Sequence, residues 1–220
     1  MFAFFAYSFS QAASSNIPGE SFSQIKYIHL GSRSFFEDPV DNNVTGTKYL
    51  IDDFSENGIV IDKNGRKFKM QKLNIDLKSN NFVSKISKDS LFIFDNLKGI
   101  EINGKRYVKK DDDIYIVLHH GNSTPTFYKK VSKVVSKPVI NPVSNLQVKA
   151  PEWRFKYIYY IFSKKANSLI PVKFNRKGIL SLFEPTMRKS IKKFVSDNKL
   201  SYSKEKDVMK ILYKFSNSII

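Results

Sequence analysis

The chain has no cysteine. It therefore cannot be a disulfide scaffold, a Cys-ligated zinc protein, a thiol enzyme or a Cys-anchored lipoprotein. Acidic residues are few: 20 Asp and Glu stand against 37 Lys and Arg in 220 residues, a formal net charge of +17. Arginine is scarce as well, at six residues against 31 Lys. A site selected to grip phosphates or bases leans on Arg, whose planar fork binds bidentately and stacks. The Lys-heavy excess, beside abundant Asn, Ile, Ser and Phe, therefore reads first as a general compositional bias and second as a polyanion site. Long apolar runs are missing: beyond the first residues nothing approaches the ~20 apolar residues of a membrane span. No P-loop, GxGxxG, GxSxG or HExxH occurs either, which removes the recognisable nucleotide, nucleophile and metalloprotease signatures.

What is present is enough for a folded domain. Hydrophobic residues make up 41% and aromatics 14%, too many for a disordered chain, and the length can bury a core without a staple. The first residues speak of location. Phe2–Phe9 is apolar and uncharged, and Ser10-Gln11-Ala12-Ala13-Ser14 follows. An apolar run before small residues is the h-region and cleavage site of an export signal. The basic n-region is missing, so residues 1–13 read as a signal peptide clipped at its front, with cleavage near Gln11, Ala12 or Ala13. The alternative is an amino-terminal strand tucked into the core.

Residues 14–46 read as an irregular leading segment with one strand-like run, Ile25–Leu30. Residues 47–220 read as a single α+β domain, β-rich over 47–174 and helical over 177–216. Short apolar or alternating runs recur about every ten residues: Tyr49–Ile51, Ile59–Ile61, Lys67–Leu77, Leu91–Phe94, Ile100–Ile102, Arg106–Val108, Ile114–His119 and Thr126–Val135. Asn64-Gly65 and Asn103-Gly104 are signals for type I′ hairpins, whose two central residues need positive φ. Pro138, Pro142 and Pro151 mark 137–151 as an extended connector. Trp153–Phe162 then alternates Trp153, Phe155, Tyr157, Tyr159 and Ile161 onto one face, and Leu169–Phe174 returns as its hairpin partner. Beyond this the period changes to 3.6. Met187, Ile191, Phe194 and Val195 share one helical face. Val208, Ile211, Leu212 and Phe215 share another, with Ser203 as expected N-cap. A shorter helix is expected over Lys177–Phe183. The fold expected is a twisted antiparallel sheet or partly open barrel with two amphipathic helices at the carboxyl end.

Candidate chemistry is thin. His119 and His120 adjoin at a strand end, where neighbours point to opposite faces, and His29 stands apart; all three read as ordinary residues. Asp111-Asp112-Asp113 lacks EF-hand offsets and follows Lys109-Lys110, so it reads as a solvated turn. Asp52, Asp53 and Glu56 are scattered carboxylates, and spacing alone does not shift a pKa. No catalytic residue, metal or cofactor is expected, and whether the chain is an enzyme stays open, with no favoured. The strongest candidate is charge. Residues 151–220 hold 16 basic and 5 acidic residues, a net of +11. The candidate polyanion contacts are Lys164, Lys165, Arg176, Lys177, Arg188, Lys189, Lys192, Lys193, Lys206, Lys210 and Lys214. They flank an aromatic hairpin, where cations and rings together stack single-stranded bases, or lie on basic amphipathic helices, which rest on anionic headgroups. Against both stands the plain reading of aromatic core and a Lys-protected edge.

Gly46-Thr47-Lys48-Tyr49-Leu50 with Asp53-Phe54, Phe68 through Asn74, Thr126-Phe127-Tyr128 and the helical tail from Phe183 to Phe215 resemble a family of uncharacterised exported bacterial proteins. In that family a GxxYLxxxF-like start leads into a short-stranded sheet, and a Lys-rich helical pair ends the chain. The resemblance covers roughly residues 45–216. It implies export and a β-then-α layout, and carries over no catalytic residue or ligand. The expected function is a non-catalytic binding or structural component of the cell envelope, periplasmic, at the cell surface or secreted. Alternatives are a binder of polyanions or anionic membrane surfaces, and an enzyme with an unrecognised site. The partner expected is an envelope protein or anionic envelope surface, not intracellular nucleic acid.

Overall fold

A computed structural model describes residues 31–35, 43–88, 90–119, 125–163 and 167–219. The expected signal segment 1–13, the run Ile25–Leu30 and His29 and His120 lie outside the described residues. The order of elements is β1 (Gly31–Phe35), β2 (Gly58–Asp62), β3 (Lys67–Met70), β4 (Leu73–Asp76), β5 (Asn81–Ser87), β6 (Ser90–Phe94), β7 (Leu97–Ile102), β8 (Lys105–Lys110), β9 (Asp113–His119), β10 (Phe127–Val135), β11 (Val139–Ile140), β12 (Gln147–Lys149), β13 (Trp153–Ser163) and β14 (Ser168–Val172). Helices α1 (Arg176–Leu180), α2 (Arg188–Asp197) and α3 (Glu205–Lys214) follow. The chain is α+β, as its change of period from two to 3.6 predicts.

Eight strands form one antiparallel sheet in the order β14-β13-β10-β9-β8-β7-β2-β3, and four form a second in the order β1-β6-β5-β4. The large sheet ends in two separate edges, β14 and β3, and is not closed into a barrel. The small sheet interrupts it in sequence. Lys67–Leu77, expected as one run, breaks at Lys72, whose φ is +50. A left-handed residue turns the chain sharply, so β3 stays in the large sheet while β4 starts the small one. Two further expectations fail nearby. Asn81–Ser87 forms β5 although its Lys and Ser residues hide the alternation, and Gly31–Phe35, inside the segment read as irregular, pairs with β6. Tyr49–Ile51 forms no strand; Tyr49 makes a single bridge to Asp76.

The turns separate two chemistries that look alike in sequence. At Asn103-Gly104 both residues have positive φ, +50 and +70, the two-residue I′ turn expected. At Asn64-Gly65 only Gly65 does. There Asp62 takes control: its Oδ1 accepts from Arg66 N at 2.8 Å and its Oδ2 from Arg66 Nε at 2.7 Å. Gly65 N donates to Asp62 O at 3.0 Å, which leaves Gly65 alone in the left-handed position of a longer loop.

Both sheet periods bury one face. Val60, Ile100, Ile102, Tyr107, Ile114, Ile116 and Val131 of the large sheet pack on Leu73, Ile75, Phe82 and Phe94 of the small one. At the other end, Phe127, Ile161 and Val172 pack on Ile179, Phe183, Ile191, Val195, Val208, Ile211 and Leu212. The Met187–Val195 and Val208–Phe215 faces are thus core faces, as the 3.6 period requires. The expected connector 137–151 is instead partly a two-stranded ribbon, with Val139 opposite Lys149 and Ile140 opposite Gln147.

Leu73 and Phe183 are each fully buried, one in each core. Leu73→Ala and Phe183→Ala are each expected to cost about 2–5 kcal/mol. Since one sheet floors both cores, each variant should shift a single thermal transition that far-UV and near-UV circular dichroism report at the same temperature.

Candidate functional site

The helical cap presents the predicted cations. α2 turns Ile191 and Val195 inward, and α3 turns Val208, Ile211 and Leu212 inward. Helical geometry then sends Lys189, Lys192, Lys193, Lys206, Lys210 and Lys214 outward, and all six are exposed. Arg176 and Lys177 open α1 and are exposed too. α1 starts where it does because Asn175 Oδ1 accepts from Gly178 N at 2.7 Å, an N-cap. Gly178 is required there, since a Cβ would lie 2.2 Å from Lys173 O. Among the described residues, none of these eight cations forms an ion pair with a carboxylate. Arg188 behaves differently: it is half-buried, and its Nε donates to Leu180 O at 3.1 Å, tying α2 to α1. Lys164 and Lys165 lie outside the described residues.

The acids of the cap are committed elsewhere. Glu205 Oε2 accepts from Lys129 Nζ and from Tyr159 Oη, each at 2.6 Å, and so pins the start of α3 to β10 and β13. Burial pushes the Glu205 carboxyl up, but the two hydrogen bonds and the Lys129 charge outweigh it, and the group ends below its ordinary value. The Tyr159 phenol is pushed well above its ordinary value, first by burial and then by that carboxylate. Asp207 Oδ2 accepts from Ser201 N at 3.1 Å. This bond fixes the turn into α3 and displaces the expected cap: Lys204 stands at the N-cap without a side-chain bond, and the Ser203 hydroxyl pairs with Ser201 Oγ at 2.9 Å.

Beside the cap lies an open cleft of about 910 Å³ between β14, α1 and the final turn. Ile161, Ile170, Val172, Leu182 and Ile219 give it apolar walls, and Lys173, Lys177, Asn175, Ser181 and Asn217 stand among them. Among the described residues its lining has no carboxylate and no imidazole. Its lysines and apolar walls are the chemistry that suits an anion with an apolar portion, and among the described residues it holds no proton-transfer pair of the usual kind.

The expected aromatic face of β13 exists, but its cations belong to the fold. Lys129 lies 4.1 Å from the Tyr157 ring centroid and Lys133 lies 4.5 Å from that of Phe155. Tyr159 instead stacks on Phe174 at 3.7 Å. Lys133 is 7% exposed. Its Nζ donates to Thr47 O at 3.0 Å and Tyr49 O at 2.5 Å, with Asp52 at 3.6 Å. Desolvation lowers its pKa, against the opposing pull of Asp52. Sequence reading passed over Lys129, Lys133 and Glu205 as site-forming residues. A signal existed: both lysines fall in the alternating apolar series Phe127, Val131, Val135, the face that must be covered.

The other sequence candidates separate. His119 packs edge-on against Tyr213 at 5.7 Å. Asp111 and Asp112 are left-handed turn residues. Asp112 pairs with Lys109 at 3.6 Å and Asp113 with Lys130 at 2.6 Å. Asp52 faces Lys133, while Asp53 accepts from Ser55 N and Oγ, so Asp52 and Asp53 do not converge. Among the described residues no group of three or more His, Asp or Glu comes together to hold a metal.

Glu205 gives a pH test. A carboxylate lowered in the fold stabilises above its unfolded pKa, and that stability is lost as pH falls through the folded value. Glu205 is 37% exposed at its side chain, so solvent screening keeps the contribution small. Glu205→Gln is expected to cost about 1 kcal/mol at neutral pH, and the gap to the unaltered protein should close in acid, as followed by urea denaturation across pH. Comparison with family models, curated proteins and solved structures gives no match, so what this cap and cleft can bind is read from their own chemistry.

Proposed function

We propose that the protein is an exported, non-catalytic binding component of the cell envelope that engages an anionic surface through its basic helical cap. The observation that carries this is the set of eight exposed cations on α1, α2 and α3 that form no ion pair among the described residues. Elsewhere several lysines spend their charge on neighbouring carboxylates: Lys48 on Asp76, Lys67 on Glu101 and Lys130 on Asp113. A surface that leaves one sign of charge uncompensated attracts the opposite sign over a Debye length. The cleft beside the cap adds Lys173 and apolar walls, which suits anions with an acyl or other apolar portion. Export is supported by the Phe2–Phe9 run ahead of Ser10–Ser14 and by a cysteine-free composition. The family resemblance agrees with it. No helix among the described residues is long and apolar enough to cross a membrane.

Retention on heparin and on vesicles containing phosphatidylglycerol is expected at low salt and should fall steeply toward physiological ionic strength, where screening shortens to about 8 Å. Combined Lys189→Glu, Lys192→Glu and Lys193→Glu substitution should abolish retention without lowering Tm, because these side chains are exposed and form no ion pair among the described residues. Retention unchanged by that reversal, or absent at low salt, overturns the reading. Amino-terminal sequencing of protein recovered from an envelope fraction is expected to find cleavage near Gln11, Ala12 or Ala13; an intact Phe2–Phe9 run there rejects export by this route.

A further inference from the structure

The β11–β12 ribbon carries a second feature, at the opposite end of β10 and β13 from the helices. Five large aliphatic side chains stand in solvent there: Val143 is 94% exposed, Leu146 67%, Val148 62%, Ile140 51% and Val139 49%. Soluble proteins seldom leave such a group together unless it meets something. No acidic residue occurs between Ser136 and Pro151; of the two lysines at the base of the ribbon, Lys149 pairs with Glu152 at 2.8 Å, and Lys137 has no ion pair among the described residues. Beneath them come Trp153 and the exposed rings of Phe155 and Tyr157. An apolar tip with a cation behind it matches a bilayer's apolar boundary and the anionic phosphates outside it, and interfacial layers favour aromatic rings.

The turn at the tip also satisfies its own donors. Asn141 N donates to Leu146 O at 2.9 Å and Asn145 N to Asn141 O at 2.9 Å. Asn141 Oδ1 accepts from Val143 N at 2.8 Å and from Ser144 N at 3.3 Å. Pro142 has no N–H to satisfy. Every backbone N–H from residue 141 to 145 therefore has a partner within the turn or does not exist, which lowers the cost of moving these donors out of water, while the tip's other carbonyls can meet the hydrated interface. The ribbon is firmly rooted, too: Ser136 N donates to Glu152 O at 2.9 Å and Glu152 N to Ser136 Oγ at 3.0 Å. Beyond the Val139–Lys149 pair it projects about 7–10 Å at strand rise, the depth at which interfacial elements bury their apolar faces.

We propose that the β11–β12 ribbon is a finger that inserts its Val143–Leu146 tip into the interfacial layer of an anionic lipid bilayer. This deepens the anionic-surface reading by naming lipid as the surface, and it rests on residues far from the helical stripes. A convex apolar tip with basic residues in excess at its base fits a deformable anionic layer better than a preformed protein groove.

The absence of cysteine provides the probe. Val143→Cys in the full chain gives a single site for an environment-sensitive fluorophore, with Lys63→Cys in the exposed β2–β3 turn as control. With mixed phosphatidylcholine–phosphatidylglycerol vesicles the Val143 label should shift to the blue and be quenched by lipid-tail quenchers, and the Lys63 label should not. Val143→Asp and Leu146→Asp should each weaken vesicle binding about ten-fold while heparin retention and Tm stay unchanged. A Val143 label that remains in water, or Asp variants that bind vesicles normally, overturn the finger; the helical-cap reading then stands if the triple Lys→Glu variant alone loses binding. Retention on heparin with no vesicle binding by the unaltered protein also overturns the finger and leaves the cap. Tip variants that abolish self-association or capture of a protein, while vesicles go unbound, overturn it in favour of a protein groove.

Discussion

Nine consecutive residue pairs join β10 to β13, from Phe127 opposite Ile161 to Val135 opposite Trp153, and the rest of the molecule depends on that register. Because side chains alternate strictly, the register decides which residues share a face. Phe127 and Ile161 floor the helical core, Val131 enters the core between the sheets, Lys129 stands between these two covers and Lys133 lies just beyond Val131. A slip of one residue would exchange this entire set for Tyr128, Lys130, Ser132 and Val134. The same pair also fixes what lies at its ends: helices and cleft at one, ribbon at the other.

Two different covers on one sheet face leave margins, and a lysine fills each: Lys129 between the covers and Lys133 at the far border of the inter-sheet core. Such margins need side chains that are apolar along the stem and polar at the tip. Lys129 lays its stem over Tyr157 and gives its charge to Glu205. Lys133 lies over Phe155 and gives its protons to the carbonyls of Thr47 and Tyr49. Each lysine thereby ties a different piece of chain to the sheet: α3 in one case, the segment before β2 in the other. Asn74 strengthens the second attachment, its Nδ2 donating to Ile51 O at 2.9 Å and Asp53 O at 2.8 Å. A segment with no regular structure of its own is held by side-chain bonds to its carbonyls, which no periodicity in its sequence announces.

This explains which parts were legible from the residues. Strands whose one face is core and other face is solvent show alternation, and β2, β6 to β10 and β13 were readable. Helical stripes were readable for the same reason. β5 was missed because Ser84 is buried through a bond to Gln71 O, a polar residue in an apolar position. The β3–β4 break was missed because Lys72 adopts a left-handed φ that Gly or Asn more commonly marks. The ribbon was missed because Val, Ile and Leu exposed on both sides, among prolines, satisfy no core pattern. Its irregular pattern is itself informative, since apolar residues that serve no core need another partner.

The charge of +17 can be separated into two effects. A compositional drift toward Lys adds cations throughout a sequence, but it does not decide where the acids go. Over 14–150 the chain holds 21 basic and 15 acidic residues, and several of the described acids meet a cation: Asp62, Asp76, Glu101 and Asp113. Over 151–220 there are only 5 acids, and Glu152, Glu205 and Asp207 are already bonded to Arg154, to Lys129 and Tyr159, and to Ser201. A bias common to the whole chain would leave acids near the helical lysines as it does near the sheet lysines. The asymmetry lies in the missing carboxylates. The same shortage recurs over 136–151, at the far end of the β10–β13 pair. Two separated regions, one helical and one a ribbon, both poor in acids and with Glu152 alone neutralising Lys149 of the ribbon, are better accounted for by a shared anionic partner than by drift alone.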